Sequence, residues 1–250
     1  GVTIAGNIGD MVGGGGLTKG GAGALTLAGT NVYTGITRAA AGVLTLDPAS
    51  SNSVGEMQVS GSARLNVGGA TLKQTAGNFV VYGGSVDVRG GIVSNQAGSA
   101  YVGYNSGAGS LMVDAGYVHI PNELNVGTWP GSTGNLTLSN GTVAARLLYV
   151  GRGGNGTVTQ TGGTMKLTGA AGGDGWRIGG WSDTTAKGTG VYNLFNGVLD
   201  TGANNLQVGC SGSGALYQKG GTASCGGWPV IGRFSGGTGV YTLEGGVFNQ

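Results

Sequence analysis

The segment Tyr101-Val102-Gly103 recurs as Leu124-Asn125-Val126-Gly127 and again as Leu148-Tyr149-Val150-Gly151. Each copy is a short strand that ends in valine and glycine, and the closing glycines are evenly spaced, at positions 103, 127 and 151. Between these copies lie two further short strands, each opened by a glycine: Gly109-Ser110-Leu111-Met112-Val113 and Gly116-Tyr117-Val118, then Gly134-Asn135-Leu136-Thr137-Leu138 and Gly141-Thr142-Val143. Three strands and three turns at a fixed period are typical of a solenoid.

The apolar residues of these strands alternate, so one side of each strand faces a core. Aligning the repeats by their glycines stacks these residues into columns that no single repeat buries alone. The predicted core residues are Leu111, Val113, Val118, Leu136, Leu138, Val143, Val158, Met165, Leu194, Leu199 and Leu243. We therefore predict an all-β, single-stranded parallel β-helix solenoid with about 24 residues and three short strands per coil. We expect it to be right-handed, the commoner form at this coil length.

Composition limits the classes of protein that remain. The chain has 60 glycines and 4 prolines in 250 residues, without the Gly-X-Y period of collagen, and 9% charged residues with a net charge of +2. The basic residues are scattered singly, whereas proteins that bind nucleic acids usually carry a cluster of them. We therefore expect no nucleic-acid partner. No apolar run approaches the length of a membrane span and no charged-then-apolar leader pattern occurs, so we expect no transmembrane segment in these 250 residues. Low charge with many Thr, Ser, Asn and Gly residues favours a secreted or cell-surface protein.

The whole chain, residues 1–250, is interpreted as one β-helix domain. Residues 1–15 are irregular in pattern and form either an N-terminal cap or the remains of a preceding coil. Residues 164–190 form the longest insertion and include Asp174 and Asp183. Because the sequence begins with Gly1 and stops within a coil, we expect a processed chain or part of a longer one.

Residues 16–46 carry a more specific pattern. Gly16-Leu17-Thr18-Lys19 is followed by Leu25-Thr26-Leu27, Asn31-Val32-Tyr33-Thr34-Gly35 and Gly42-Val43-Leu44-Thr45-Leu46. This order resembles the autotransporter-associated β-strand repeat, also called the passenger-associated transport repeat, of bacterial surface proteins. The resemblance implies a right-handed β-helical passenger that is exported by a Gram-negative bacterium and displayed outside the cell.

Three glutamines and two cysteines have predicted structural roles. Gln74, Gln160 and Gln218 are assigned to one inward column, where a buried amide bonds to turn backbone; a polar ligand groove is the alternative. Cys210 and Cys225, which fall in one repeat and are flanked by turns, are predicted to form a disulfide in an exported protein. Free thiols are the alternative.

The four tryptophans fall near the turn that follows the first strand of a repeat. If these turns stack, Trp129, Trp176, Trp181 and Trp228 form an aromatic edge suited to a glycan or a partner protein. In the other interpretation, each ring only covers a neighbouring glycine turn.

The remaining polar residues favour neither catalysis nor metal binding. Asp114 and Glu244 lie near equivalent repeat positions but several coils apart, and Asp174 and Asp183 are the one pair of acids that the insertion would allow to meet. His119 is the single histidine, so no triad or multi-histidine metal site is available. One Gly172-Gly173-Asp174-Gly175 segment is too little for a calcium repeat. We therefore assign no catalytic residue, no metal ligand and no cofactor.

The predicted function is structural or adhesive rather than enzymatic. A rigid β-helical rod serves as a cell-surface stalk or as a fibre subunit that self-associates end to end as a homopolymer or continues into a longer chain. The alternatives are a carbohydrate-binding module that uses the turn aromatics, with a polysaccharide as partner, and a β-helical polysaccharide-degrading enzyme.

Overall fold

A computed structural model describes residues 1–169, 175–181 and 187–250, and within these ranges the regular structure is entirely β. In chain order the strands are β1 (Val2–Ile4), β2 (Leu17–Lys19), β3 (Ala24–Leu27), β4 (Thr30–Val32), β5 (Thr37–Ala39), β6 (Val43–Leu46), β7 (Ser51–Val54), β8 (Met57–Ser60), β9 (Arg64–Gly68), β10 (Thr71–Gln74), β11 (Phe79–Tyr82), β12 (Ser85–Arg89), β13 (Ile92–Asn95), β14 (Ala100–Val102), β15 (Ala108–Asp114), β16 (Gly116–Val126), β17 (Thr133–Leu138), β18 (Gly141–Val150), β19 (Asn155–Gln160), β20 (Thr164–Leu167), β21 (Trp176–Ile178), β22 (Thr189–Leu194), β23 (Val198–Asp200), β24 (Leu206–Val208), β25 (Ser213–Gln218), β26 (Thr222–Ser224), β27 (Pro229–Ile231), β28 (Thr238–Leu243) and β29 (Val247–Asn249).

These strands form three parallel ladders, so each coil has three faces. Face A contains β1, β3, β6, β9, β12, β15, β17, β19, β22, β25 and β28. Face B contains β4, β7, β10, β13, the first halves of β16 and β18, then β20, β23, β26 and β29. Face C contains β2, β5, β8, β11, β14, the second halves of β16 and β18, then β21, β24 and β27. The predicted parallel β-helix with three strands per coil is confirmed.

Coil length varies, but the register between the strands of face A does not break. Leu25 pairs with Leu44 across a short coil, whereas Val158 pairs with Tyr192 across a much longer one. From Val2 in the first strand of face A to Tyr241 in the eleventh, the mean coil is about 24 residues. At about 4.8 Å per parallel strand, the ten intervals make a rod on the order of 48 Å long.

The core is a continuous column of inward-facing side chains from the three faces. Leu111, Leu136 and Val158 are consecutive partners on face A, and each is no more than 2% exposed. Leu243 occupies the inward register position of β28 but is 52% exposed, because β28 pairs with a strand on one side only. It is therefore not a core residue among the residues described, contrary to the prediction.

Glycine is required at the corner where face C turns into face A, for two different reasons. Gly127 has a φ of 74°, a left-handed conformation that side chains other than glycine disfavour. Gly134, which opens the next strand, has an ordinary φ, but a Cβ there would lie 2.1 Å from the carbonyl oxygen of Val102. The two glycine ladders of the sequence thus mark a turn and a close backbone approach.

The segment 16–46 makes contacts that account for its motif. The amine of Lys19, a residue only 7% exposed, donates to the carbonyl oxygens of Gly20, Gly21 and Ala41 at 2.7, 2.8 and 3.0 Å. The hydroxyl groups of Tyr33 and Thr37 lie 2.7 Å apart within the wall of the coil. Buried polar groups of this motif therefore close turns.

Residues 1–15 follow the path of a coil along the first described windings. β1 pairs with β3 on face A, and the carbonyl oxygen of Ile8 accepts a hydrogen bond from the amide of Val32 at 2.7 Å. Further along, the carbonyl oxygen of Gly15 accepts from the amide of Gly35 at 2.8 Å. These contacts lie in turn on faces A and B and at the corner before face C.

Candidate functional site

Face C carries a column of outward-facing side chains that runs along the rod, one from the middle of each of the eight consecutive face C strands from β5 to β24. We call this set the face C column. In order of the windings, its consecutive register partners are Arg38, Gln58, Val80, Tyr101, Asn125, Tyr149, Arg177 and Gln207. Because the strands are about 4.8 Å apart, neighbouring members of the column are in reach of one another and of one extended ligand.

The first four windings of the column form an open groove with a volume of about 380 Å³. The groove, called the open groove below, is lined by Arg38, Glu56, Gln58, Asn78, Val80, Tyr82, Tyr101, Tyr104 and Asn105. Arg38, Gln58, Val80 and Tyr101 form its floor along the rod, while the other residues come from the ends of strands and from the corners on either side. The groove therefore runs parallel to the axis of the rod.

The polar side of the open groove is a hydrogen-bonded chain of side chains. The Nε of Arg38 donates to Oε1 of Gln58 at 3.1 Å, and Nε2 of Gln58 donates to Oε1 of Glu56. The positive and the negative charge are thus linked through one amide, and Arg38 remains exposed. This arrangement offers donors and acceptors to a ligand without an excess of either charge.

The other side of the open groove is aromatic. The ring centroids of Tyr101 and Tyr104 are 5.0 Å apart, and the rings are inclined by 56°. Tyr104 lies in the turn from face C to face A, where Asn105 has a φ of 52° and the amide of Gly107 donates to the Tyr104 carbonyl at 3.0 Å. Asparagine is among the residues that tolerate this left-handed conformation. The turn thereby fixes Tyr104 beside the strand that carries Tyr101.

Burial affects Tyr101 even though the groove is open. Partial burial raises the pKa of the Tyr101 hydroxyl above 10.0, opposed by a hydrogen bond with the Ser99 side chain and aided by the nearby Glu123 carboxylate. Val80, which faces outward beneath the tyrosines, is only 8% exposed. Tyr101 is therefore a half-buried member of the floor rather than a fully solvated side chain.

The next four windings of the column are covered instead of open. Asn125, Tyr149, Arg177 and Gln207 also point away from the core, yet they are 0%, 4%, 5% and 0% exposed. We call them, with Glu123, Arg152 and Trp181, the covered cluster. Polar side chains buried in this way require partners, since an unsatisfied buried polar group costs about 1–3 kcal/mol.

Arg152 is at the centre of the covered cluster. Its Nη1 lies 3.1 Å from Oε2 of Glu123, and its Cζ lies 3.9 Å from the ring centroid of Trp181 and 5.4 Å from that of Tyr149. The Cζ of Arg177 is 5.5 Å from the same Tyr149 ring. Burial raises the pKa of Tyr149, and the positive charge of Arg177 opposes that rise. The cluster thus combines a half-buried ion pair with cation–π contacts over the buried Tyr149 ring.

The four tryptophans do not form one aromatic edge, so the first of the two interpretations of these residues is wrong. Trp176 faces the core as the register partner of Leu148, is fully buried, and packs edge-on against Tyr192 at 5.0 Å between ring centroids. Trp129 and Trp181 lie at the corner between faces C and A, whereas Trp228 lies at the corner between faces B and C. Trp129 and Trp228 are 51% and 74% exposed.

Cys210 and Cys225 are both buried and are not joined by the predicted disulfide. The physical reason is that they lie at different corners of one winding, Cys210 between faces C and A and Cys225 between faces B and C. The Cys210 thiol lies 2.6 Å from the carbonyl oxygen of Trp181, and the Cys225 thiol lies 3.6 Å from that of Asn204. Each thiol therefore meets a backbone carbonyl next to its own corner.

Two of the three inward glutamines share a column, and the third does not. Gln160 and Gln218 lie on face A, whereas Gln74 lies on face B as the partner of Asn95, so the assignment of all three to one column was wrong. Nε2 of Gln160 donates to the carbonyl oxygens of Gly163 and Val198 at 3.1 and 2.9 Å.

The glutamines of face A also bind a tyrosine that the sequence analysis did not associate with them. The Tyr192 hydroxyl donates to Oε1 of Gln160 at 2.6 Å, and Tyr241 donates to Gln218 in the same way. In both pairs the tyrosine lies in the winding after the glutamine. Its register partner is the residue two positions before that glutamine. The two pairs are separated by 32 and 23 residues in the sequence, so the signal appears only after the repeats are aligned by their strands.

Acidic residues do not converge in the part of the chain that the structure describes. No group of three or more His, Cys, Asp or Glu residues able to hold a metal ion occurs there. Glu56 is the one carboxylate lining the open groove, and a second groove on face A has only Asp87, which pairs with Arg64. His119 lies on the outer side of face B, stacked on Tyr117. Asp174 and Asp183 lie outside the described residues.

Neither of the described grooves has the paired carboxylates expected of a polysaccharide-degrading enzyme. Within residues 1–169, 175–181 and 187–250, no helix has the length and apolar character needed to cross a membrane.

A parallel β-helix with an outward column of aromatic and polar side chains is the class of protein that these observations define. The chain is 30% identical over 233 residues to the adhesin BmaC autotransporter of Brucella suis biovar 1 (strain 1330). The alignment covers 88% of this chain and 6% of that relative, so the chain spans a small part of the relative's length. No family model and no solved structure matches the chain. Membership of the specific repeat family that residues 16–46 resemble stays a prediction.

Proposed function

We propose that this chain is part of the extracellular rod of a bacterial surface adhesin, exported and displayed outside the cell, and that it acts as a rigid structural element without enzymatic activity. The main support is the unbroken register of face A over eleven strands, which makes the chain one continuous stiff body. The similarity to an adhesin autotransporter supports the adhesive context.

A rod of this kind resists proteolysis because its backbone is paired on both sides in every inner coil. Cleavage requires local unfolding, and the lowest-energy openings are expected at corners rather than in the ladders. We expect the displayed rod to keep an attached tag away from the cell surface and to survive exposure to trypsin.

The experiment displays residues 1–250 on the outer membrane of a non-adherent laboratory bacterium, between an epitope tag and a membrane anchor. The tag is expected to remain on intact cells after trypsin treatment. A matched variant, Leu138→Asp, places a charge in the buried column and is expected to lose the tag rapidly. Equal rates of tag loss in the two chains would overturn the structural role.

The same cells test the adhesive part of the proposal. Bacteria that display the chain are expected to bind an epithelial monolayer in greater numbers than bacteria carrying the anchor alone. If the tag resists trypsin while binding stays at the level of the anchor alone, the chain is a spacer and the adhesive part is wrong.

End-to-end self-association is a second candidate, supported by the last described winding. Ile231, Leu243 and Val247 are 54%, 52% and 52% exposed, and β27, β28 and β29 each pair on one side only. An apolar surface with unpaired strand edges fits a further parallel winding, whether from the same chain or from a second copy. Sedimentation equilibrium is expected to show association that increases with concentration; a single monomeric species up to high concentration would contradict it.

A further inference from the structure

The open groove has the chemical character of a binding site and is distinct from the stacked backbone that makes the rod. Its floor combines a guanidinium group, an amide, a valine and a tyrosine from four consecutive windings: Arg38, Gln58, Val80 and Tyr101. Three intervals of about 4.8 Å give a floor on the order of 14 Å long. That length suits an extended ligand lying along the rod.

The walls of the open groove supply two complementary kinds of contact. Tyr82 and Tyr104 lie on the side towards the corner between faces C and A, while Glu56 and Asn78 lie on the side towards the corner between faces B and C. Aromatic faces attract flat apolar surfaces, and their hydroxyl groups stay available for hydrogen bonds. Planar amide and carboxylate groups on the opposite wall bind hydroxyl groups.

Charge limits the ligand class further. Among the nine lining residues, Arg38 is the only cation and Glu56 is the only anion, and Gln58 links them by hydrogen bonds. A polyanion would be repelled by the Glu56 carboxylate, and a polycation would be repelled by Arg38. The groove is therefore electrostatically balanced and favours a neutral ligand with many hydroxyl groups.

The geometry points to a binding site for a neutral oligosaccharide in the open groove, with sugar rings stacked on Tyr101 and Tyr104 and hydroxyl groups bonded by Arg38, Gln58 and Glu56. A sugar ring has an apolar face of C–H groups and a rim of hydroxyl groups, which matches the two walls. An extended peptide is the competing occupant, but the floor here has its backbone groups paired within the ladder of face C and offers no free strand edge. This inference does not require the rod to be adhesive.

Orientation of the binding tyrosines is already fixed in the unbound chain. Tyr101 is held on β14, with its ring centroid 5.0 Å from that of Tyr104, and the corner turn at Asn105 holds Tyr104. A site whose aromatic side chains are ordered before binding loses less conformational entropy when the ligand arrives. Tyr104 is the better target for substitution, because it lies in a turn and is not part of a ladder.

The test uses the purified chain on an array of immobilised neutral and sialylated oligosaccharides. We expect binding to a subset of the neutral glycans and weaker binding to their sialylated counterparts. Tyr104→Ala is expected to weaken the binding about tenfold or more, because an aromatic anchor in a binding site typically contributes more than about 1 kcal/mol. Tyr104→Phe, which keeps the ring, is expected to retain most of it.

Tyr117→Ala is the matched control, since Tyr117 is a 41% exposed tyrosine on face B, away from the groove. It is expected to bind like the parent chain. Circular dichroism and denaturant unfolding of each variant establish that the ladders are intact. No retained glycan, preferential retention of sialylated glycans, or retention unaffected by Tyr104→Ala would each overturn the proposed site. The trypsin test of the rod is independent of these outcomes.

Discussion

The open groove and the covered cluster are two stretches of one column of outward side chains, yet only the first is accessible. Both have the same strand spacing, the same register and a similar mixture of aromatic, amide and guanidinium groups. In the first stretch Tyr101 borders a groove of about 380 Å³, whereas in the second Tyr149 is 4% exposed. The backbone of a β-helix thus sets where a side chain points, and what packs over the strand determines whether it meets solvent.

The largest expected effect concerns the inner side of the same strands, where the two stretches should not differ. Trp176 lies beneath the covered cluster and Phe79 beneath the open groove, and both are no more than 2% exposed. Trp176→Ala and Phe79→Ala are each expected to lower the free energy of unfolding by about 3–5 kcal/mol. Equilibrium denaturant unfolding measures the change, and Trp129→Ala, at an exposed corner, is the control expected to stay within about 0.5 kcal/mol. A small effect at Phe79 would show that the open stretch is loosely packed.

A smaller effect is expected on the outer side, where the two stretches should differ. Tyr149→Ala removes a buried ring from between two arginines and is expected to destabilise the fold by about 2–4 kcal/mol. Tyr101→Ala, at the equivalent register position two windings earlier, is expected to cost less than about 1.5 kcal/mol because its ring is partly solvated. Unfolding curves of the two variants decide the point. Equal losses would mean that the covered cluster is no more tightly packed than the groove.

The ion pair of the covered cluster is expected to have a modest effect. Arg152→Gln removes the contact with Glu123 and the cation–π contact with Trp181, at an expected cost of about 1–2 kcal/mol. Arg38→Gln in the open groove is the counterpart and is expected to change stability by less than about 0.5 kcal/mol. Both values come from thermal or denaturant unfolding at low salt. A greater loss in Arg38→Gln than in Arg152→Gln would contradict the assignment of the covered cluster as the buried one.

The smallest expected effect is a pH dependence at the alkaline end. Burial raises the pKa of Tyr149 above 10.0, so the folded chain holds this proton more tightly than the unfolded chain. The stabilising contribution is therefore complete below about pH 10 and is lost as the pH rises through the raised pKa. Tyr149→Phe is expected to show a shallower decline in stability above about pH 10 than the parent chain, as measured by unfolding at a series of pH values. An unchanged decline would mean that Tyr149 is solvated.

The sequence predicted the ladders well because glycine spacing is a local signal. A left-handed turn at Gly127 or a close approach at Gly134 requires glycine whatever surrounds it, so the spacing of these residues follows the coils. The position of Trp176 was predictable by the same reasoning, since it precedes Gly179 by the same interval as Leu148 precedes Gly151. The interpretation that places Trp176 on a surface edge is wrong. Trp176 lies near the turn, but its register position is the inward one occupied by Leu148 in the preceding winding.

The disulfide and the common glutamine column were wrong for a different reason. The number of residues between Cys210 and Cys225 does not reveal which corners they occupy, and a coil has three corners. Gln74 likewise ends a strand of face B, although its sequence context resembles that of Gln160 on face A. In a coil with three similar short strands, local sequence alone distinguishes the faces poorly.

The sequence by itself determined the repeat, the strand alternation and the inward columns of this protein, because these follow from backbone geometry at short range. The tertiary structure decided which outward side chains come together along the rod and which of them remain accessible. Arg38, Gln58 and Tyr101 belong to three different windings, and their common groove depends on the lengths of every corner between them. Those lengths vary without breaking the register, since a turn at the surface of a coil gains or loses residues while the paired strands keep their partners.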